Sequence, residues 1–248
     1  MTSDNKPPGG DRPEGLRAGV DEAGKGPVLG SMFAACVVAD PADLPDDVGD
    51  SKDIDPERRE ELATAIRKCA EAVAVSEISV ERIDDPETDM NTLTVVAHAE
   101  ALGAVARDGL ATYLDAGDTN AVRFERRVAD RVEADLDLRA EHGADESYPI
   151  VGAASIVAKV ARDAHVAELA TEYGDVGSGY PGDGTTREFL EDYVDEQGRL
   201  PACARETWQT SRDVRRQADQ AALVDFEKGD DRSALDGDED DQAALDDF

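Results

Sequence analysis

Residues 16–39 read LRAGVDEAGKGPVLGSMFAACVVA, and this stretch decides the fold. Two apolar, β-compatible runs, 16–21 and 28–39, flank the glycine-rich segment 23–27. The pattern predicts two strands joined by a tight glycine turn. Asp21 and Glu22 stand where the first predicted strand ends.

Further along the chain, strands and helices alternate. Asp55 precedes Pro56 as an N-cap, and apolar residues at helical spacing follow it. We predict helices over residues 56–70, 91–107, 134–138, 150–173 and 186–197, and strands over residues 72–80, 110–114 and 124–128. Early strands followed by this alternation favour the α/β class, with a mixed central sheet flanked by helices and a helical C-terminal region.

Composition divides the chain into three parts. Residues 1–15 are rich in Pro, Gly and charge, and predict a flexible leader. Residues 16–216 form the predicted globular domain. Residues 217–248 hold 12 acidic and 2 basic residues, which predicts a disordered acidic tail.

The formal net charge of −32 excludes an ordinary basic nucleic-acid-binding domain. The chain has six lysines against 20 arginines and few aromatic residues, a composition typical of proteins adapted to molar salt. Because self-repulsion is screened at high ionic strength, we expect a fold that requires salt. No apolar run is long enough to cross a membrane and no secretory signal is present, so we expect a soluble, cytoplasmic protein without a membrane partner.

Four carboxylates stand out from the general acidity. Asp21 and Glu22 end one apolar strand, Asp115 ends another, and Asp163 lies in a helix of mostly small or apolar residues. Carboxylates at the ends of buried strands are costly unless they are paired or hold a cation. A site made only of oxygen ligands suits Mg²⁺ or Mn²⁺. Two such cations can activate a water molecule and stabilise the leaving oxygen in the hydrolysis of a phosphodiester.

Six short motifs in order resemble those of the ribonuclease HII family, in the style of its archaeal members. They are GVDEAGKGPVLG at 19–30, DSK at 50–52, MNTL at 90–93, YLDA at 113–116, AASIVAKVARD at 153–163 and GSGYP at 177–181, with RETW following at 205–208. The matches span residues 16 to about 212. The resemblance implies an RNase H-like fold.

The resemblance also implies roles for individual residues. Asp21, Glu22, Asp115 and Asp163 would form the catalytic, metal-binding tetrad that holds two divalent cations, Mn²⁺ or Mg²⁺. The backbone of Gly24, Lys25 and Gly26 would contact 2′-hydroxyls, Tyr180 would stack on the sugar at the RNA-to-DNA junction, and Lys52 and Lys159 would contact phosphates. Lys25 stands where the family usually has arginine, so the compact charge of an ammonium group replaces a planar guanidinium with several hydrogen-bond donors.

The implied activity is an endonuclease that cuts the RNA strand of RNA/DNA hybrids and incises at ribonucleotides embedded in duplex DNA, leaving 5′-phosphate and 3′-hydroxyl ends. Two alternatives stay open, a DNA-directed two-metal nuclease of the same fold and a clamp-tethered hybrid-binding protein without turnover. A monomer is the default expectation. Five arginines between residues 199 and 216 give a local positive charge that predicts a strip for docking nucleic acid.

A seven-residue motif of the form Q-x-x-L-x-x-F occurs twice near the end of the chain, at 220–226 and 242–248. It resembles the peptide by which replication and repair enzymes bind the sliding clamp PCNA. An aromatic residue that ends an acidic tail has little reason to exist for folding. We therefore expect Gln242, Leu245 and Phe248 to bind the clamp, whereas the inner copy is either a second clamp site or the end of the last helix.

Overall fold

The computed structural model describes residues 15–49 and 54–233, and the side chains of its last helix as far as residue 221. Five strands form one mixed sheet in the order β3-β2-β1-β4-β5. The strands are β1 (Arg17–Ala23), β2 (Met32–Ala39), β3 (Ala72–Ile78), β4 (Ala111–Asp115) and β5 (Asp137–Glu141). β1, β2 and β3 pair antiparallel, whereas β1 with β4 and β4 with β5 are parallel. The mixed sheet predicted from the sequence is confirmed.

Helices cover both faces of this sheet. They are α1 (Pro56–Cys69), α2 (Val80–Ile83), α3 (Met90–Gly103), α4 (Ala121–Ala129), α5 (Ala144–Ser147), α6 (Pro149–Tyr173), α7 (Gly184–Gln197) and α8 (Gln209–Ser233). α1 begins as expected, since the Asp55 carboxylate accepts a hydrogen bond from the backbone N–H of Arg58 at 3.0 Å.

The first hairpin is present, but its second strand starts four residues later than predicted. Val28 and Leu29 leave the sheet because their backbone N–H groups donate to the Gly179 carbonyl, at 2.8 and 3.2 Å. Their side chains pack against α7 and α8. The segment from Gly24 to Ser31 is therefore a loop that joins the sheet to the C-terminal helices.

The prediction for residues 124–138 is wrong, because helix and strand occur in the opposite order. Phe124 and Val128 are buried on one side of α4, whose N-cap Asn120 accepts from the Arg123 N–H at 2.9 Å. The strand is β5, which pairs with β4. Short apolar runs fit either period, and here the i, i+4 spacing of the two buried side chains determines the helix.

Three apolar clusters hold the layers together. α3 and α4 pack on one face of the sheet, and α1 and α6 pack on the other. A third cluster joins Val28 and Leu29 to α7, α8 and the connection between them. This last cluster is the helical C-terminal region expected from the sequence.

α8 differs from the boundary drawn at residue 216, since it continues to Ser233 through the start of the predicted tail. Glutamine, alanine and arginine favour helix here, and the Asp213 carboxylate accepts from Gln209 at 2.8 Å and from Arg216 at 2.6 Å. No helix within the described residues is long and apolar enough to cross a membrane.

Candidate active site

The carboxyl ends of two neighbouring parallel strands bring three of the predicted carboxylates together. In the parallel pairing of β1 and β4, Val20 lies opposite Leu114. Asp21 and Asp115 follow these paired residues directly, so they lie side by side on adjacent strands, with Glu22 next to Asp21. All three residues are still within the sheet, since β1 continues to Ala23 and Asp115 pairs with Glu141 of β5. Strand register therefore builds this part of the site.

Asp21 and Asp115 lie where a negative charge is poorly tolerated. Asp21 is only 6% exposed, and burial raises its pKa well above the usual value, with further increases from the charges of Glu22 and Asp115. Burial also raises the pKa of Asp115, although its carboxylate accepts a hydrogen bond from the Ala144 N–H at 2.9 Å. A cation bound between Asp21 and Asp115 would offset the free-energy cost of ionising each carboxyl group.

Glu22 has a different environment because of a buried histidine. Burial acts to raise the pKa of Glu22, but the hydrogen bond and charge of His98 and the charge of Lys25 outweigh it, so the pKa is lowered. His98 Nε2 lies 2.7 Å from Glu22 Oε2, and its ring contacts Phe124 edge to face at 5.0 Å. The sequence did not assign a role to His98. The signal available in the sequence was the spacing of two polar residues, Thr94 and His98, which stand four apart among the mostly small or apolar residues of α3, and the structure buries both.

Asp163 reaches the site from α6. Its carboxylate accepts from Arg59 on α1 at 2.6 Å and from the neighbouring Arg162 at 3.5 Å. The helix lies close to β1 at Gly19, where an added Cβ would come within 2.3 Å of the Ile150 carbonyl oxygen. This contact is near the start of α6, and further along the same helix Asp163 lines one cleft together with Glu22, where two arginines hold its carboxylate.

The donor chemistry of this cluster fits a hard divalent cation. The groups are all carboxylates, and two of them are destabilised in their ionised form. In the described part of the chain, however, no three or more His, Cys, Asp or Glu side chains already form a coordinating group. Glu22 and Asp163 are instead hydrogen-bonded to His98 and Arg59.

A cleft of about 400 Å³ opens beside the carboxylates. It is lined by Glu22, Asp163, Tyr180, residues 23–26 and the cationic side chains of Lys25, Arg59, Lys159 and Arg162. Two acidic and four basic side chains line this cleft in a chain of charge −32, so positive charge is concentrated where a polyanion would enter. The predicted phosphate contact Lys52 lies outside the described residues, as do Gln242, Leu245 and Phe248.

The predicted substrate residues Gly24, Lys25, Gly26 and Tyr180 lie together in this cleft. The Lys25 ammonium donates to the Gly117 carbonyl, which ties the loop to the end of β4. Tyr180 is 44% exposed, with the Arg162 guanidinium 5.0 Å from its ring centre. A Cβ on Gly26 would lie 3.7 Å from the Tyr180 ring, so the loop backbone lies close to the tyrosine.

The arginine strip expected over residues 199–216 is not a continuous exposed surface. Arg205 is completely buried. Arg215 lies 3.8 Å from Glu206, and Arg216 lies 2.6 Å from Asp213. Burial and local ion pairs account for three of the five arginines, and the cationic residues of the cleft come from α1, α6 and the glycine loop instead.

Comparison with known proteins gives one consistent result. The family model described as Ribonuclease HII matches residues 18–211. A ribonuclease HII from Haloarcula marismortui is 70% identical over 211 residues, covering 85% of this chain and all of the relative. One from Halobacterium salinarum (strain R1) is 63% identical, covering 85% and 99%.

Two solved archaeal structures are similar in fold and sequence. The ribonuclease H2 of Pyrococcus horikoshii OT3 has a TM-score of 0.76 and 35% identity, with 82% of this chain and 98% of that chain covered. The RNase HII in a PCNA:RNase HII complex from Archaeoglobus fulgidus has a TM-score of 0.71 and 37% identity, covering 80% and 96%.

Proposed function

The chain belongs to the ribonuclease HII family, and from that premise we propose that it incises duplex DNA at embedded ribonucleotides as well as cutting RNA/DNA hybrids. Ribonuclease H activity, hydrolysis of the RNA strand of a hybrid, follows from the family itself. The observation that carries the proposal is the convergence of Asp21, Glu22 and Asp115 at two strand ends, beside a cationic cleft that contains the glycine loop and Tyr180.

Asp21, Glu22, Asp115 and Asp163 are the proposed ligands of two divalent cations, Mn²⁺ or Mg²⁺. Bound cations would supply electrostatic stabilisation of the charge that develops as water attacks phosphorus and the bond to the 3′ oxygen breaks. Protonation of that oxygen leaves 5′-phosphate and 3′-hydroxyl ends. The protein contributes a rigid frame, since β1 and β4 fix three carboxylates. His98 orients Glu22, and the arginines beside Asp163 hold that carboxylate until it is recruited.

Recognition of the substrate is assigned to the other side of the cleft. The backbone at Gly24, Lys25 and Gly26 would contact 2′-hydroxyls, because the glycines on either side of Lys25 let the main chain approach the sugar. Tyr180 is exposed and flanked by Arg162, which suits stacking on a sugar next to a phosphate. Lys159 lines the same cleft and would contact the phosphate backbone, as would Lys52.

The test is cleavage of an end-labelled DNA duplex that contains one ribonucleotide, in about 2 M KCl so that the acidic fold is screened. Reactions with Mn²⁺, Mg²⁺ or EDTA are compared with an all-DNA duplex and a long hybrid. We expect metal-dependent incision on the 5′ side of the ribonucleotide and none of the all-DNA duplex. D21N is expected to bind the same duplex without cutting it.

Other outcomes separate the alternatives. Cleavage of the long hybrid alone would remove embedded-ribonucleotide incision from the proposal. Cleavage of all-DNA duplex would favour a DNA-directed nuclease. Folded protein that binds hybrid but cuts nothing with either metal would favour a binding protein.

A sliding clamp is the proposed protein partner, through Gln242, Leu245 and Phe248. Support comes from the terminal Q-x-x-L-x-x-F motif and from the PCNA:RNase HII complex of Archaeoglobus fulgidus, whose RNase HII is 37% identical to this chain. Calorimetric titration of clamp into the full chain and into a variant lacking residues 242–248 tests the proposal. Loss of binding on deletion is expected.

A matched control uses the inner copy of the motif, at residues 220–226. Q220A/F226A alters the same residue types within α8 and leaves the terminus intact. Retained clamp binding in this variant, with loss in the deletion, assigns the contact to the terminal copy. Unchanged binding in the deletion would contradict the proposal. The monomeric state and cytoplasmic location stay predictions.

A further inference from the structure

Arg205 is a charged side chain buried completely behind the glycine loop. Its guanidinium donates through Nε to the Gly30 carbonyl at 2.8 Å, and through its two terminal nitrogens to the carbonyls of Lys25 at 3.1 Å and Gly24 at 2.6 Å. Burying an arginine is costly unless its donors are satisfied. Here each of the three guanidinium nitrogens donates to a backbone carbonyl of the loop from Gly24 to Ser31.

Trp208, one turn later, completes the contact. Its indole N–H donates to the Gly26 carbonyl at 3.3 Å, and its ring lies 4.9 Å from the Arg205 guanidinium carbon. Arg205 and Trp208 together therefore hold three successive carbonyls, those of residues 24, 25 and 26. Both residues lie in the connection between α7 and α8, so the C-terminal region holds these three carbonyls.

The turn that carries these two side chains is itself fixed. The Asp84 carboxylate accepts from the backbone N–H groups of Glu206 at 2.7 Å and Thr207 at 3.0 Å, and from the Thr207 hydroxyl at 2.5 Å. Burial lowers the pKa of Arg205 to about 10, so the guanidinium keeps its charge at neutral pH. Its hydrogen bonds to the loop are thus charge-assisted.

The loop needs such support because glycine has the largest backbone freedom. Gly24 has a φ of +88°, and two of the three loop residues are glycines. A main chain that recognises a 2′-hydroxyl must hold its peptide planes in one orientation before the substrate arrives. Side chains that each hold a loop carbonyl prevent the planes from rotating separately.

We propose that Arg205 and Trp208 are positioning residues that set the discrimination between RNA and DNA at the loop of residues 24–26. The inference rests on the proposed function, in which this loop contacts the 2′-hydroxyl. It adds that the discrimination depends on two side chains outside the cleft lining, in a turn distant in sequence. Neither residue is assigned a contact with nucleic acid.

The experiment measures a ratio of affinities. Fluorescence anisotropy in the D21N background compares a duplex containing one ribonucleotide with an all-DNA duplex of the same sequence, in Mn²⁺ and high salt. R205K keeps the positive charge but loses the planar guanidinium and its set of N–H donors. W208F keeps an aromatic ring but loses the indole N–H. We expect R205K to lower the ribonucleotide preference about tenfold and W208F to lower it a few-fold, as loss of specific hydrogen bonds would.

The control is R212Q, which removes a charge from an exposed position of the same segment. Charge loss alone should change both affinities by the same factor and leave the ratio unchanged. A wild-type ratio in folded R205K, or equal losses for both duplexes, would overturn the proposal. If R205K does not fold, W208F decides, and undiminished preference in W208F overturns it.

Failure of the proposed function would be visible elsewhere. A D21N protein with otherwise wild-type sequence that shows no preference for the ribonucleotide duplex would refute recognition by the loop, and this inference with it. A clear preference that survives R205K and W208F would refute only the role of these two residues. The two failures therefore fall in different arms of one experiment.

Discussion

At the scale of single residues, the site pairs one stabilised carboxylate with two destabilised ones. Glu22 has a buried hydrogen-bond partner, whereas burial and neighbouring charge oppose ionisation of Asp21 and Asp115. Of the three, Glu22 is thus the group held as an anion before any cation binds. This division depends on His98, which lies on α3, on the face of the sheet opposite to α6.

Replacing His98 by phenylalanine would leave the Glu22 carboxylate buried without that partner. We expect Mn²⁺ affinity to fall by about tenfold or more, as for other groups that orient metal ligands. Because burial then raises the pKa of Glu22 against the charge of Lys25 without the help of His98, the acid limb of the activity profile should move to higher pH. Calorimetric Mn²⁺ titration without substrate and a pH profile of cleavage measure the two effects.

H142Q is the matched control, since His142 is exposed. It should leave both the Mn²⁺ affinity and the pH profile at wild-type values. Equal Mn²⁺ affinity in H98F and the wild type would show that His98 only fills space beside Phe124.

Asp21 makes a prediction about stability. Its pKa in the folded protein is raised above the usual value of 3.8, so the folded state prefers the protonated form. The wild type therefore loses stability as pH rises through the raised pKa, whereas D21N does not. Without divalent cations we expect D21N to be more stable by about 1–3 kcal/mol at neutral pH, and the difference to vanish near pH 4.

Urea midpoints from pH 4 to 8, in high salt with EDTA, measure this difference. D43N serves as the control, because Asp43 is exposed and should show no such trend. A D21N protein less stable than the wild type at neutral pH would mean that Asp21 gains more from its contacts than burial and repulsion cost.

At the scale of elements, the packing of α6 on β1 sets where Asp163 stands relative to Asp21. The helix and strand approach so closely at Gly19 that an alanine Cβ would lie 2.3 Å from the Ile150 carbonyl oxygen. G19A should therefore push the two elements apart, at a cost of about 1–3 kcal/mol or more. The displacement should also reduce cleavage more than binding.

Thermal unfolding and kcat against KM for hybrid cleavage check this prediction. G103A is the control, since no atom lies within 4 Å of an added Cβ at the end of α3. It should be neutral or stabilising by up to about 1 kcal/mol. Wild-type stability in G19A would show that the strand and helix can separate without cost.

Elements that form through local signals could be predicted from the sequence. Asp55 and Pro56 predict the start of α1, and the apolar run before Asp21 predicts β1. Residues 124–138 could not be assigned reliably, because their apolar runs are too short to distinguish a helix from a strand. The late start of β2 also escaped prediction, since a long-range contact with Gly179 decides it.

The residues of the candidate site also fall into two groups, those that the local sequence predicts and those that only long-range contacts place. The carboxylates stand at strand ends or in a recognisable motif, so their positions could be read from the sequence. His98, Arg59 and Arg205 could not be placed, because their partners lie 76, 104 and as many as 181 residues away in the chain. Only the fold shows that Arg205 belongs behind the loop and not on a docking surface.

At the scale of the whole molecule, a chain of charge −32 must both fold and hold a polyanion. The cleft meets the second requirement with a local excess of cationic side chains. The first requirement depends on the solvent. On α7, Glu188, Asp192 and Glu196 are exposed at successive i, i+4 positions, where like charges repel.

We expect the urea midpoint of the wild type to rise with KCl, most steeply up to about 1 M, where the Debye length falls to about 3 Å. The variant E188Q/D192N/E196Q should be more stable than the wild type by roughly 0.5–1 kcal/mol at 0.1 M KCl, because two repulsive pairs are removed. Screening should close that gap at about 2 M KCl. Sucrose, which stabilises compact states without screening charge, should raise both midpoints and preserve the gap. A gap that persists at high salt would assign the gain to packing against Phe189 and Tyr193, and the salt requirement to something other than self-repulsion.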